Sequence, residues 1–192
     1  MPSSSPFAAE PVTRRQQLLN VAALLFAERG FYGVTIDDIG AELDMSGPAL
    51  YHHLTGKEAL LGEILIAISE QLLDYGSTVA SAAGDPDAAQ RALVAAHVDF
   101  ALDRPELITV QSRDLIHASE ADQHTVRRLQ ARYVDVWVDV GIQLHPRRTR
   151  ERATAQVHAT FGLINSTPHS ARMERREMAE MLTAMALAAL DA

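Results

Sequence analysis

The stretch Thr35-Ile-Asp-Asp-Ile39-Gly-Ala-Glu-Leu-Asp44-Met-Ser46-Gly-Pro-Ala-Leu-Tyr51-His-His-Leu54-Thr-Gly-Lys57-Glu58 decides the fold. Thr35 is a helix-capping residue type, and Asp37 and Asp38 suit the positive end of a helix, so a short helix is expected over 36–43. Asp44-Met45 is a tight connection. Ser46 then serves as a second cap, with Pro48 tolerated in the first turn, and opens another short helix that runs to about His53. Thr55-x-x-Glu58 is a capping box that starts a longer helix with Leu61, Ile64, Leu65, Ile68 and Leu72 on one face. Two short helices joined by a tight turn and backed by longer ones form the helix-turn-helix layout.

Helical signals continue outward on both sides. Upstream, Thr13-x-x-Gln16 opens a helix carrying Leu18, Leu19, Ala22, Leu25 and Phe26, which stops at Gly30. Downstream, Gly84-Asp85-Pro86 marks a break. A helix follows to Asp103 with Leu93, Ala96, Val98, Phe100 and Ala101, and Pro105 starts another with Leu107, Ile108, Gln111, Leu115 and Ile116. Val126, Leu129, Tyr133, Val136 or Trp137, Val140 and Leu144 recur at three- and four-residue steps, which predicts a long helix over 120–144. Two last helices are expected at 149–165 and 172–190, separated by Asn165-Ser-Thr-Pro-His-Ser170. Strand signals are weak. The fold class is therefore all-α with about nine helices. Residues 1–10 read as a flexible tail, 11–58 as a helix-turn-helix domain, and 59–192 as a second helical domain.

Charge argues against simple coating of nucleic acid. The net charge is −8, and residues 1–60 hold only Arg14, Arg15, Arg29 and Lys57 against seven acidic side chains. DNA recognition must then rest on local geometry, with helix N-termini and a few placed donors at phosphates. Cysteine is absent, which removes disulfides and thiolate metal sites and suits a cytoplasmic location. No apolar run approaches the roughly 20 residues of a membrane span, so no membrane partner is expected. No nucleophile elbow, phosphate-binding glycine loop or His-Glu-x-x-His motif is present. An enzyme is not expected, nor a cofactor or metal; the weak rival is a helical metalloenzyme assembling some of the eight histidines.

Within the helix-turn-helix, the second short helix would present Ser46, Gly47, Pro48, Ala49, Tyr51 and His52 to the major groove. Small residues at its leading end allow close approach, and Tyr51 and His52 can donate to a phosphate or base edge. The run Phe26-Ala-Glu-Arg-Gly-Phe-Tyr-Gly-Val-Thr35-Ile-Asp-Asp-Ile39, followed by Ser46-Gly-Pro-Ala-Leu-Tyr51-His-His-Leu-Thr-Gly-Lys57-Glu-Ala-Leu-Leu61, resembles the TetR family of bacterial repressors over nearly all of the first 64 residues. The resemblance implies that Thr35 contacts phosphate at the start of the second helix. It places Tyr51 and His52 at the DNA backbone, and gives a phosphate to Lys57, the only lysine in the chain. Three positions depart from the pattern. Asp44 stands where glycine is usual and tolerates a left-handed turn. Gly40 replaces alanine and should weaken its helix by about 1 kcal/mol. Leu54 replaces phenylalanine.

For the remainder, the resemblance implies a ligand pocket among the middle helices and a homodimer formed by the last two. Polar and aromatic groups on apolar faces nominate His97, Phe100, Gln111, Arg113, His117, Tyr133 and Trp137 as ligand-binding. Arg113 is either a carboxylate or phosphate anchor or a partner of Asp114 or a neighbouring helix. Val157, Thr160, Phe161 and Ile164 form one dimer stripe, and Met178, Met181, Leu182, Met185 and Ala189 another. Val110–Ile116 and Arg127–Trp137 are similar to TetR-type actinobacterial regulators of fatty-acid or sterol breakdown. That likeness implies an acyl or acyl-coenzyme A effector; a hydrophobic drug, with control of an efflux system, is the alternative. The expected function is a repressor that binds a (pseudo)palindromic operator as a dimer and releases it on binding an apolar or acyl-type effector.

Overall fold

The computed structural model describes residues 13–44 and 56–192. All regular structure among them is helical: α1 (Arg14–Arg29), α2 (Ile36–Glu42), α3 (Lys57–Ala82), α4 (Pro86–Asp103), α5 (Pro105–Asp114), a 3-10 turn (Leu115–His117), α6 (Glu120–Leu144), α7 (Arg150–Ile164), α8 (Thr167–Ser170) and α9 (Arg175–Asp191). The tail and the expected helix over 46–53 lie outside the described residues.

Side-chain caps set the helix starts. Thr13 accepts from the Gln16 N–H, Asp85 from Ala88, Thr149 from Arg152, and Glu174 from Arg176 and Glu177. In α2 the cap is reciprocal. Thr35 Oγ1 accepts from the Asp38 N–H at 3.1 Å, and Asp38 Oδ2 accepts from the Thr35 N–H at 2.7 Å. Asp44 adopts φ 52°, the left-handed conformation expected of it. Gly33 is required for space, because a Cβ there would stand 2.2 Å from the Arg29 carbonyl oxygen.

Two boundaries differ from the sequence reading. The helix from Pro105 ends at Asp114 and tightens into a 3-10 turn, which advances each residue by a larger angle than an α-helix. Ile116, expected on the apolar face, is turned out and 73% exposed. Pro168, whose fixed φ suits a first helical turn, lies in the extra helical turn α8 where only a connection was expected.

The chain forms two compact units. Among the described residues, one comprises 13–44, 56–69 and Glu106–Arg127, and its buried apolar residues include Leu18, Ala22, Phe26, Val34, Ile39, Leu61, Leu65, Leu107 and Val126. The other comprises Glu70–Pro105 and Arg128–Ala192, with Leu93, Val98, Phe100, Tyr133, Trp137, Val157, Ile164, Met178 and Leu182 buried. In this second unit α9 packs against both α4 and α7. The compact units thus assign residues 106–127 to the N-terminal helices, a grouping that no sequential cut at 58 produces. Among the described residues no helix is long and apolar enough to cross a membrane.

Candidate DNA-binding and effector sites

In the N-terminal unit, the link between α1 and α2 is held by side chains from distant parts of the sequence. Lys57, at the start of α3, donates from Nζ to the Phe31 carbonyl at 2.7 Å and to the Val34 carbonyl at 2.8 Å. The same ammonium lies 4.3 Å from the centroid of the Phe31 ring. A cation at a helix N-terminus opposes the helix dipole, so these acceptors and the ring face offset a placement that the helix itself disfavours. His117 stacks on Phe31 with centroids 5.1 Å apart and meets Tyr32 edge-on at 4.7 Å.

Thr35 is exposed and engaged with Asp38, to which its hydroxyl also donates at 2.6 Å. Those two Thr35 hydrogen bonds hold the Asp38 carboxyl below the usual carboxylate range. Of the expected DNA contacts, Thr35 and Lys57 are therefore placed at the two ends of the same small structure. Ser46, Gly47, Pro48, Ala49, Tyr51 and His52 lie outside the described residues.

Arg113 closes the other end of α1. Its guanidinium pairs with both oxygens of Asp114, at 3.1 and 2.9 Å, and donates to the carbonyls of Phe26 and Ala27. Asp114 is only 2% exposed, so this ion pair supplies the partner that a buried carboxylate needs. The α1 carbonyls are the unsatisfied acceptors of a helix C-terminus, and an arginine there also complements the dipole. Of the two roles open to Arg113 in the sequence, the structure places it on Asp114 and the neighbouring helix rather than at a ligand. Gln111 and His117 belong to this same unit.

The remaining ligand candidates come together in the other unit. His97 on α4, Tyr133 and Trp137 on α6 and Phe161 on α7 form a mutual ring cluster, with Phe100 tilted against His97 at 5.9 Å. Phe161 stacks on His97 (4.5 Å, 18°) and on Tyr133 (5.5 Å, 20°), while the Trp137 plane stands nearly perpendicular to all three. His97 Nε2 donates to Asn165 Oδ1 at 3.1 Å, which leaves Nδ1 to accept from the Tyr133 hydroxyl at 3.3 Å. Burial pushes the His97 imidazole down to about 4, against the opposing hydrogen bond from Asn165. Burial likewise raises Tyr133 far above a free phenol. Gly76 makes room for the cluster, since a Cβ there would lie 2.4 Å from Tyr133 Cε2.

Sequence reasoning missed Gly76 and Asn165, and it assigned Phe161 to the dimer stripe. The 157/160/161/164 spacing marks an apolar face without saying what covers it. Val157, Thr160, Ile164, Met178 and Leu182 are all 2% exposed or less inside their own unit, so these expected dimer contacts face the chain's own core. Met181 (38%) and Met185 (47%) are exposed, and Ala189 is half-buried.

An all-α protein with a capped N-terminal helical unit and a second, ring-lined helical unit is the class that the described residues define. Residues 18–64 match the model of the bacterial regulatory proteins of the tetR family. That match covers 47 of the 192 residues, the N-terminal part of the chain. The chain is similar to the HTH-type transcriptional repressor KstR2 of Rhodococcus jostii, 27% identical over 128 residues that cover 66% of this chain and 63% of the relative. The chain thus spans less than two thirds of that relative's length. Its fold is that of the ketosteroid transcriptional regulator KstR2 of Mycobacterium tuberculosis (TM-score 0.78, 20% identity, 95% of this chain and 97% of that one). It is also that of the transcriptional regulator FadR from Bacillus subtilis in complex with stearoyl-CoA (TM-score 0.73, 13% identity, 93% and 96%).

Proposed function

We propose that the chain is a transcriptional repressor that binds a (pseudo)palindromic operator as a homodimer and leaves it when residues 59–192 take up an apolar or acyl-type effector. The observation that carries this reading is the family match over residues 18–64. It falls on α1, α2 and the start of α3, the elements whose link Lys57 and Thr35 hold in shape. Residues 11–58 read the operator, with two recognition helices meeting successive major-groove half-sites. The protein works in the cytoplasm and catalyses no reaction.

Support for an acyl-type effector comes from the stearoyl-CoA bound by the FadR neighbour and from the uncharged ring cluster around His97. Support for the dimer comes from the exposed apolar stripe Met181, Ala184, Met185 and Ala188 on α9, beside the exposed small residues Ala155, Ala159 and Gly162 on α7. This face lies next to the buried stripes nominated from sequence, rotated on the same two helices.

The test is a band shift on the DNA around the chain's own gene, competed with unrelated DNA and repeated at rising salt. Selective binding that survives competitor, and that decanoyl-coenzyme A reverses, is the expected result. Binding that unrelated DNA removes at equal concentration, there and on DNA selected from a random pool, refutes the operator reading.

A further inference from the structure

We propose that Tyr32 is a further contact to the operator backbone, its hydroxyl donating to a phosphate oxygen as a neutral donor, and that His117 is the positioning residue that holds its ring. The proposal rests on the reading of residues 11–58 as the operator-binding part.

Tyr32 lies in the link between α1 and α2 and is 79% exposed, more than any other large apolar or aromatic side chain among the described residues. Two rings nevertheless fix its position. Phe31 meets it edge-on at 5.4 Å, and His117, itself stacked on Phe31, meets it at 4.7 Å. His117 belongs to the 3-10 turn after α5, so a segment far away in sequence sets the direction of this exposed ring. The Tyr32 hydroxyl makes no hydrogen bond among the described residues. Tyrosine suits a place where its body packs on the protein and its hydroxyl meets a polar partner, and here only the first half is supplied by the chain.

The surroundings of the ring say what that partner is. Lys57 Nζ lies 6.0 Å from the Tyr32 ring centroid, and Thr35 follows three residues later on the same link. These are the two described residues that the operator reading sets against phosphates, so the Tyr32 hydroxyl faces the same stretch of backbone. Charge gives the same answer. Residues 1–60 hold four cations against seven acidic side chains, and the arginines are engaged within the chain. Arg14 donates to Gln17 and to the Leu43 carbonyl, Arg15 pairs with Glu63, and Arg29 stands 3.9 Å from Asp38. A domain so short of free cations gains phosphate contacts from neutral donors, and tyrosine hydroxyls are among those that proteins use on DNA backbones. Because His117 belongs to residues 106–127, this contact is set by a segment outside the operator-binding residues themselves.

Tyr32→Phe keeps the ring contacts and removes only the hydroxyl. In band shifts of the full chain, on the DNA around its own gene or on DNA selected from a random pool, it should bind operator and unrelated DNA alike about five-fold more weakly. The salt slope should stay unchanged, because a neutral donor releases no counter-ion, and this separates Tyr32 from a lost cation. Ethylation interference on the same operator should show one phosphate per half-site whose modification weakens the parent more than the variant. His117→Ala should lose as much affinity, add little to Tyr32→Phe in the double variant, and be rescued by His117→Phe. Melting curves check that each variant folds. Undiminished binding by Tyr32→Phe, a salt slope that it lowers, or an ethylation pattern that it leaves unchanged overturns the phosphate contact. Losses that add in the double variant overturn the positioning role of His117. A parent chain that binds neither DNA selectively overturns the operator reading and this proposal with it, whereas selective parent binding that Tyr32→Phe matches overturns this proposal alone.

Discussion

Lys57 does two kinds of work that a single substitution separates. Its ammonium ties the Phe31 and Val34 carbonyls, and we propose that in the operator complex its charge stands at a phosphate. Lys57→Ala should lower affinity for operator and unrelated DNA alike by several-fold, and reduce the salt slope by about one, as a lost phosphate contact does. It should also lower stability by about 1–2 kcal/mol, through two lost charge-assisted hydrogen bonds. Band shifts at several salt concentrations and a urea melt read the two effects independently; loss of sequence preference alone would refute the phosphate role. His97 gives a pH prediction. Its value of about 4 in the folded chain lies below the 6.5 of a free imidazole, so the unfolded state binds the extra proton between these values. Stability is therefore fully present above about pH 6.5 and falls as pH drops toward 4, by roughly 3 kcal/mol at most. His97→Gln should flatten that slope in urea melts run from pH 7 to 4.5. The nomination of His97, Tyr133 and Trp137 was legible in sequence because each interrupts an apolar stripe. Pairing of Arg113 with Asp114 or a neighbouring helix was one of the two roles open there and is the one it takes; that the helix it caps is α1 was not legible, because Phe26 and Ala27 lie far away in sequence.

Helices were the most readable level, because capping residues mark their starts chemically. Thr35 illustrates how much depends on such a cap in a short element. α2 has seven residues and contains Gly40, so little intrinsic helix preference supports it. Thr35→Ala should cost about 1–2 kcal/mol and weaken operator binding, with Thr35→Ser recovering most of both in a melt and a band shift. Gly76 works in the opposite sense, since sequence marks it only as a poor helix former within α3. Gly76→Ala gains helix preference yet drives a Cβ into the Tyr133 ring, and overpacking should win with a net loss of about 1–3 kcal/mol. A Gly76→Ala variant as stable as the parent, with unaltered Trp137 emission, would refute the tight approach of Tyr133 to α3. What sequence could not give at this level is phase. Ile116 continues an apolar pattern on paper, and the change from α to 3-10 geometry turns it outward.

At the scale of the molecule, the all-α architecture followed from helical periodicity, but the grouping of 106–127 with the N-terminal helices depends on contacts far apart in sequence. The same limit explains the dimer stripes: periodicity showed apolar faces on α7 and α9, and the fold decided which of them its own core takes. The exposed α9 stripe yields a direct test. Met185→Asp places a charge on the face we propose for a second subunit, and the variant should run as a monomer in size-exclusion chromatography and lose operator affinity by more than ten-fold. Its melting temperature at low protein concentration should change little, because Met185 is 47% exposed. A dimer that survives this change would move the interface elsewhere. The commitment of Lys57 has a practical consequence as well. Reagents that trap protein–DNA complexes through lysine amines find a single ε-amine in this chain, already shared between two carbonyls and a ring face. Mapping this protein across a genome by aldehyde fixation should therefore under-recover its binding sites, and a light-activated crosslinker placed on the DNA bases is the better means of capture.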